Sequence, residues 1–228
     1  MRIGVLGTGM VGRTLSAKFA ELGHETRIGT RDVGAAMAST EVTRDGTGTF
    51  AQWQENNPQV PVARFADVAA HGEVVLNATS GGASLDALRM AGEGNLKGKV
   101  LIDVSNPLDF SRGFPPTLSV CNTDSVAERI QEAFPAARVV KTLNTVGAPV
   151  MVAPSAVAGG EHTMFVAGND REAKSLVTDT FLRGGFGWKH VMDLGDIKSA
   201  RGMEMYLPLW LSLMQVGGSP LFNIAVLT

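Results

Sequence analysis

The sequence predicts an α/β fold: a Rossmann-type, mostly parallel sheet covered by helices, then a small C-terminal α/β extension ending in a long helix. Three observations lead there. Short apolar runs alternate with helical periodicity from Arg2 to Leu143. These runs are continuously apolar rather than alternating, as strands buried on both faces must be. A glycine-rich turn separates the first run from the first helix, at the opening of a βαβ unit.

Arg2 to Leu6 is the first strand. Val11, Leu15, Phe19 and Leu22 recur at helical spacing behind it, and Gly23 supplies a stop. Glu25 to Thr30 is a second strand, and an alanine-rich helix follows through Ala38. Residues 40–58 break the rhythm with Asp45-Gly46, Gly48 and Asn56-Asn57-Pro58, and predict a surface excursion with a short helix over Phe50 to Glu55. Val60 to Val62, Glu73 to Asn77 and Val100 to Val104 follow as strands, with helices at Phe65 to Ala70 and around Leu85 to Ala91. Ser125 to Phe134 carries a capping-box pattern (Ser125, Glu128), an apolar face (Val126, Ile130, Phe134) and a Pro135 stop. Arg138 to Leu143 is the next strand. The Ala-, Pro- and Gly-rich stretch from Pro149 to Gly160 reads as a linker between a dinucleotide-binding domain (1–150) and a small C-terminal domain (151–228) that closes the cleft. The latter carries strands at Thr163 to Ala167 and His190 to Met192, a helix over about Asp170 to Leu182, and a long helix from Asp196 to about Val216.

Composition narrows the function. Twenty basic and 22 acidic residues give a net charge of −2, so no electrostatic footprint for nucleic acid or an anionic membrane exists. A single cysteine, Cys121, excludes an intrachain disulfide and a multi-cysteine metal site. It reads as a small apolar residue near a helix start. The four histidines are scattered, and no metal site is expected. The N-terminus enters a strand at once, without a signal-peptide pattern, and no apolar run is long enough to span a bilayer. A cytoplasmic location is expected.

Gly7-Thr8-Gly9-Met10-Val11-Gly12 fits the dinucleotide fingerprint. Gly7 permits the tight turn, Gly9 the approach of the pyrophosphate to the backbone, and Gly12 close packing of helix on strand. The pyrophosphate would lie on the free N–H groups of the helix N-terminus. After the second strand, where an NAD site places an acid for the ribose 2′-OH, stand Thr30 and Arg31. A hydroxyl and a guanidinium suit a 2′-phosphate and favour NADP(H). Asp32 leaves an alternative: it either caps the following helix or is itself the ribose acid. Three further strand ends carry short polar clusters where open α/β sheets bind ligands: Asn77-Ala78-Thr79-Ser80-Gly81-Gly82, Asp103-Val104-Ser105-Asn106-Pro107 and Lys141-Thr142-Leu143-Asn144-Thr145. No catalytic triad, paired carboxylates or proton donor for carbonyl chemistry stands out, an absence that fits hydride transfer between two positioned carriers.

The chain resembles the F420-dependent NADP oxidoreductase family. IGVLGTGMVG (3–12), IGTRD (28–32), VLNATSG (75–81), DVSNPL (103–108), VVKTLNTV (139–146) and GDIKSARGMEMYLPLW (195–210) carry the resemblance. It implies hydride exchange between NADP(H) and a small-molecule electron acceptor, the deazaflavin coenzyme F420 or a flavin-like carrier. It places Thr30 and Arg31 at the 2′-phosphate, Thr8 and Met10 in the phosphate loop, Thr79 and Ser80 beside the coenzyme, and Asn144 near the nicotinamide. Ser199, Arg201 and Glu204 would lie on the helix that borders the acceptor. Two of the family's usual features are missing: a further basic residue after the arginine, and a proline beside Thr79. Ferric or flavin reductase activity and a non-catalytic NADP(H) sensor are the alternatives. The apolar residues of 203–213 exceed one helix face, which predicts a carrier pocket or a homodimer seam.

Overall fold

The computed structural model describes residues 1–42 and 48–227; the expected Asp45-Gly46 turn lies outside them. One eight-stranded sheet organises the chain, in the order β10-β9-β8-β5-β4-β1-β2-β3. Its strands are β1 (Arg2–Leu6), β2 (Glu25–Thr30), β3 (Val62–Arg64), β4 (Val74–Asn77), β5 (Val100–Asp103), β8 (Arg138–Thr142), β9 (Thr163–Ala167) and β10 (His190–Asp193). Every pairing is parallel except β8 with β9. The strands after residue 151 therefore extend the same sheet, as a parallel pair docked in the opposite sense. A separate hairpin, β6 (Leu108–Asp109) with β7 (Thr117–Leu118), was not signalled by any alternation.

The helices are α1 (Met10–Glu21), α2 (Val33–Ala38), α3 (Phe50–Asn56), α4 (Phe65–His71), α5 (Gly81–Ala91), α6 (Glu93–Leu96), α7 (Val126–Ala133), α8 (Ala148–Val152), α9 (Arg171–Leu176), α10 (Ala200–Met205) and α11 (Leu207–Gly217). A π-helical segment, Val177–Phe186, continues α9. The C-terminal helix divides at Tyr206, where Pro208 stands in the first turn of α11 and has no N–H to continue the ladder from α10.

Both faces of the sheet are covered. Ile3, Val5, Val74, Leu76, Val100, Ile102 and Val140 point to one core, with Phe19 and Phe181. Leu6, Val75, Leu101 and Val139 point to the other, with Val68 and Ile130. The period of two that assigns alternate residues to opposite faces is invisible in sequence because both faces are apolar. The 149–160 stretch, read as a linker, sends Val150 and Met151 into the first core. The later part of the excursion, 50–58, is held by a third cluster, in which Phe50 and Trp53 pack with Ile28 and Val60. Thr49 and Gln52 form a full capping box there. The strand expected at 60–62 begins later, at Val62: Pro61 has no N–H to donate, and offers only its carbonyl to Ile28 N. Cys121 is exposed in the loop before α7.

Candidate active site

The glycine turn closes β1 against α1. Gly7 has φ +116°, and a Cβ on Gly12 would run into the Gly7 carbonyl oxygen, so neither position accepts a side chain. Gly9 differs: a Cβ there would meet nothing within 4 Å, because it faces open cleft. Gly9 is the N-cap of α1, no side chain caps that end, and no acid lies in its first turn. The unsatisfied N–H groups and the positive end of the helix dipole thus face the cleft unopposed.

Two cavities of about 620 and 390 Å³ meet over Thr8, Gly9, Thr30 and Arg31, which line both. One reaches outward to Ala35, Ala36 and Phe50, the other along the sheet to Ala78, Thr79 and Ser80. The result is a groove across the carboxyl ends of β1, β2 and β4. Met10 and Val11 sit half-buried in the first turn of α1. Arg31 is exposed at the shared rim, with no hydrogen bond or ion pair among the described residues. Asp32 caps α2, its carboxylate accepting from Ala35 N at 3.0 Å, and it also lines the outer cavity. Arg13, which sequence reasoning passed over, is buried on α1 and lines the outer cavity. Its Nε donates to Thr8 O at 2.8 Å and its guanidinium lies 5.3 Å from the Phe50 ring centroid, tying the turn to α3.

The polar strand ends are brought together. Thr79 Oγ1 donates to Asn77 Oδ1 at 2.6 Å, while Ser80 is exposed at the N-cap of α5. Asn106 Nδ2 donates to Asn144 O and Asn144 Nδ2 to Asn106 Oδ1, both at 2.9 Å, a reciprocal pair across the ends of β5 and β8. Asn144 also donates to Met203 O at 3.1 Å, which fixes α10 above the pair.

Beneath these loops lies a charged row the sequence did not announce. Asn77, Asp103 and Lys141 are register partners on β4, β5 and β8. Lys141 Nζ is 2.8 Å from Asp103 Oδ2 and 2.8 Å from Glu204 Oε1, and none of the three side chains is more than 1% exposed. Asn77 Nδ2 donates to Asp103 Oδ1 at 2.8 Å. Burial opposes the ammonium, but the two carboxylates outweigh it and hold the Lys141 pKa above its ordinary value. Burial raises the Glu204 carboxyl, with Lys141 working against it. Glu204 also accepts from Val126 N at 2.8 Å and Ala127 N at 3.2 Å, capping α7 beside Ser125. The Ser125 pattern is realised in half: its Oγ accepts from Glu128 N, whereas Glu128 takes the Ser125 hydroxyl proton and a bidentate bond from Arg201 at 2.8 and 2.6 Å.

Of the residues expected at the acceptor, Ser199 donates to Leu194 O, Arg201 is engaged by Glu128 and Glu204 by Lys141. All three brace the C-terminal helix inside the fold. The open space lies beside them: an apolar cavity of about 200 Å³ bounded by Thr145, Phe165, Met203, Tyr206 and Ile224.

A doubly covered, mostly parallel sheet and a glycine turn feeding an uncapped helix N-terminus together form the framework of a dinucleotide-binding protein of the Rossmann class. Residues 2–107 match the profile of the family described as NADP oxidoreductase, coenzyme F420-dependent. A crystal structure of a candidate F420-dependent NADP-reductase from Arthrobacter sp. FB24 superimposes with TM-score 0.94 at 51% identity, covering 100% of both chains. The F420-dependent NADP reductase of Methanothermobacter marburgensis is 27% identical over 93% of this chain and 92% of its own. The metalloreductase STEAP3 of Rattus norvegicus is 28% identical over 92% of this chain, which spans 38% of that longer protein. The chain belongs to the F420-dependent NADP oxidoreductase family, and is an NADP-dependent oxidoreductase.

Among the described residues no helix is long and apolar enough to cross a membrane, and no cluster of His, Cys, Asp and Glu could hold a metal ion.

Proposed function

We propose that the protein transfers hydride between NADP(H) and coenzyme F420 or a flavin-like acceptor. The observation that carries the coenzyme half is the division of labour after β2, where Asp32 is engaged by the α2 N-terminus and Arg31 stands unpaired at the rim. The groove suits the group: the turn Gly7 to Gly12 takes the pyrophosphate on backbone N–H groups, Thr30 and Arg31 the 2′-phosphate, and Thr79, Ser80, Asn106 and Asn144 the nicotinamide end. When bound, the nicotinamide supplies or takes up the hydride, while these residues orient it. On the acceptor side Ser199, Arg201 and Glu204 act by bracing the wall of the apolar cavity. Relatives named as F420-dependent NADP reductases support the deazaflavin. The similarity to STEAP3 supports a second reading, reduction of a flavin or ferric complex.

The direct experiment mixes purified protein and NADPH with F420, FMN, FAD, riboflavin and a ferric chelate, following absorbance. Turnover of F420 above the others is expected. Turnover of FMN or the chelate alone selects the second reading, and inactivity with the whole panel removes both in favour of a sensor. We further infer that the protein works in the cytoplasm as a homodimer. Leu209, Leu213 and Val216 on α11 and Leu221 beyond it are exposed apolar side chains on the C-terminal segment; light scattering tests the dimer.

A further inference from the structure

We infer that Tyr206 is the hydrogen-bond and proton donor to the electron acceptor, which therefore presents an electronegative ring or carbonyl atom to the apolar cavity. The inference rests on the hydride-transfer reading above. The Tyr206 side chain lines that cavity, and its hydroxyl is buried with no hydrogen-bond partner among the described residues. One helical turn on, the Trp210 indole N–H is buried and equally unpartnered, and across the cavity so is the Thr145 hydroxyl. An orphaned buried donor destabilises a native fold. Of these three, Tyr206 and Thr145 belong to residues that line one cavity, where the edge of a ligand would satisfy them.

The position fits. Gly81 N donates to Asn106 O, Asn106 pairs with Asn144, and Thr145, the next residue, is the cavity wall. The cavity therefore adjoins the end of the groove proposed for the nicotinamide. At about 200 Å³ it is smaller than the roughly 300 Å³ at which pockets begin to hold whole ligands, so it receives one edge of a flat acceptor.

The chemistry balances. Hydride leaves C4 of NADPH with both electrons and bonds to an electron-poor carbon of the acceptor. The displaced π pair moves to a conjugated nitrogen or oxygen, which takes the Tyr206 proton as its O–H bond breaks. Water reprotonates the tyrosinate. NADPH is oxidised, the acceptor is reduced, and one solvent proton is consumed. Burial raises the Tyr206 pKa above that of a free phenol, keeping the hydroxyl protonated until a partner arrives.

Tyr206 is the chain's single tyrosine, so ¹³Cζ-tyrosine labelling yields one resonance. That signal should move saturably when oxidised F420 is added without NADPH, and stay fixed with NADP⁺ alone. Tyr206→Phe should lower kcat toward F420 about 100-fold, the lower end for a general acid, with NADPH affinity unchanged. Its thermal midpoint should equal or exceed that of the wild type, because the hydroxyl removed has no partner to lose. A resonance that stays still while F420 fluorescence reports binding overturns the proposal. So does wild-type kcat in the variant, or a drop in thermal midpoint that accounts for the lost activity. Should the wild type reduce FMN but not F420, the deazaflavin assignment fails alone, and the same three measurements are made with FMN. Inactivity with every acceptor removes both the reading and this inference.

Discussion

Replacing Lys141 with Met removes the only cation from a row that holds two buried carboxylates. The methionine keeps most of the aliphatic stem, so little packing is lost. What is lost are contacts of 2.8 Å to Asp103, 2.8 Å to Glu204 and 2.5 Å to the Ser105 carbonyl, at a fully buried position. Breaking a buried pair by deleting one partner costs about 3–5 kcal/mol, a large share of the roughly 5–15 kcal/mol that holds a domain together. In urea the midpoint should fall by about 1–2 M with the slope unchanged. The deficit should depend on pH, and its sign follows from Glu204. Burial raises that carboxyl in the folded state above its unfolded value. Its contribution is therefore full below the unfolded pKa and is lost as pH rises through the folded one. Without Lys141 the folded value rises further, so the variant is weakest at neutral pH and recovers as pH falls toward the ordinary carboxylate range. Glu204→Gln removes one of the two negative charges and keeps an acceptor for the α7 N–H groups, so it should cost less than Lys141→Met. A deficit at neutral pH below about 1 kcal/mol, the size of an unremarkable substitution, would refute the reasoning. A deficit that does not shrink on acidification would refute it too.

Arg31→Ala should weaken NADPH binding about 10- to 150-fold, the equivalent of roughly 1.5–3 kcal/mol of charge-assisted bonding, and leave NADH almost untouched; calorimetry with both coenzymes checks it. Asp32→Ala should lower stability by about 1 kcal/mol through the lost cap, with no NADH-specific loss, as thermal melts beside the same titrations will show. Gly9→Val should fold, since its side chain enters open cleft, yet abolish binding of both coenzymes; a folded variant with wild-type affinity would move the phosphate cradle elsewhere.

Much of the fold was legible because local signals agreed: the glycine turn, the Gly23 stop and the Ser125–Pro135 helix each act over a few residues. The dinucleotide groove was legible for the same reason, its turn and its rim residue both being local to a strand end. The charged row was not. Asn77, Asp103, Lys141 and Glu204 are scattered over more than half the chain, and only strand register brings them into line. The sequence marks Asn77, Asp103 and Lys141 as polar strand ends facing a ligand, and the lysine after the apolar Val139-Val140 hints at a buried partner instead. On the acceptor side the contacts of the C-terminal helix were hidden for a related reason. Ser199, Arg201 and Glu204 were placed by the family resemblance, whereas their partners Leu194, Glu128 and Lys141 lie off that helix and only the fold brings them beside it.

The antiparallel join of β9 to β8 sets a timetable for a chain made from its N-terminus. When β8 has left the ribosome its outer edge is bare, and the strand that covers it runs the other way and comes only after α8. Lys141 waits longer, because Glu204 emerges 63 residues later. At roughly 5–20 residues per second that is an interval on the order of several seconds, during which a lysine meant for the interior has only Asp103 and the Ser105 carbonyl for company. Until β9 arrives the nascent protein is most exposed to edge-to-edge association, and α10, which carries Glu204, later ends the wait of Lys141.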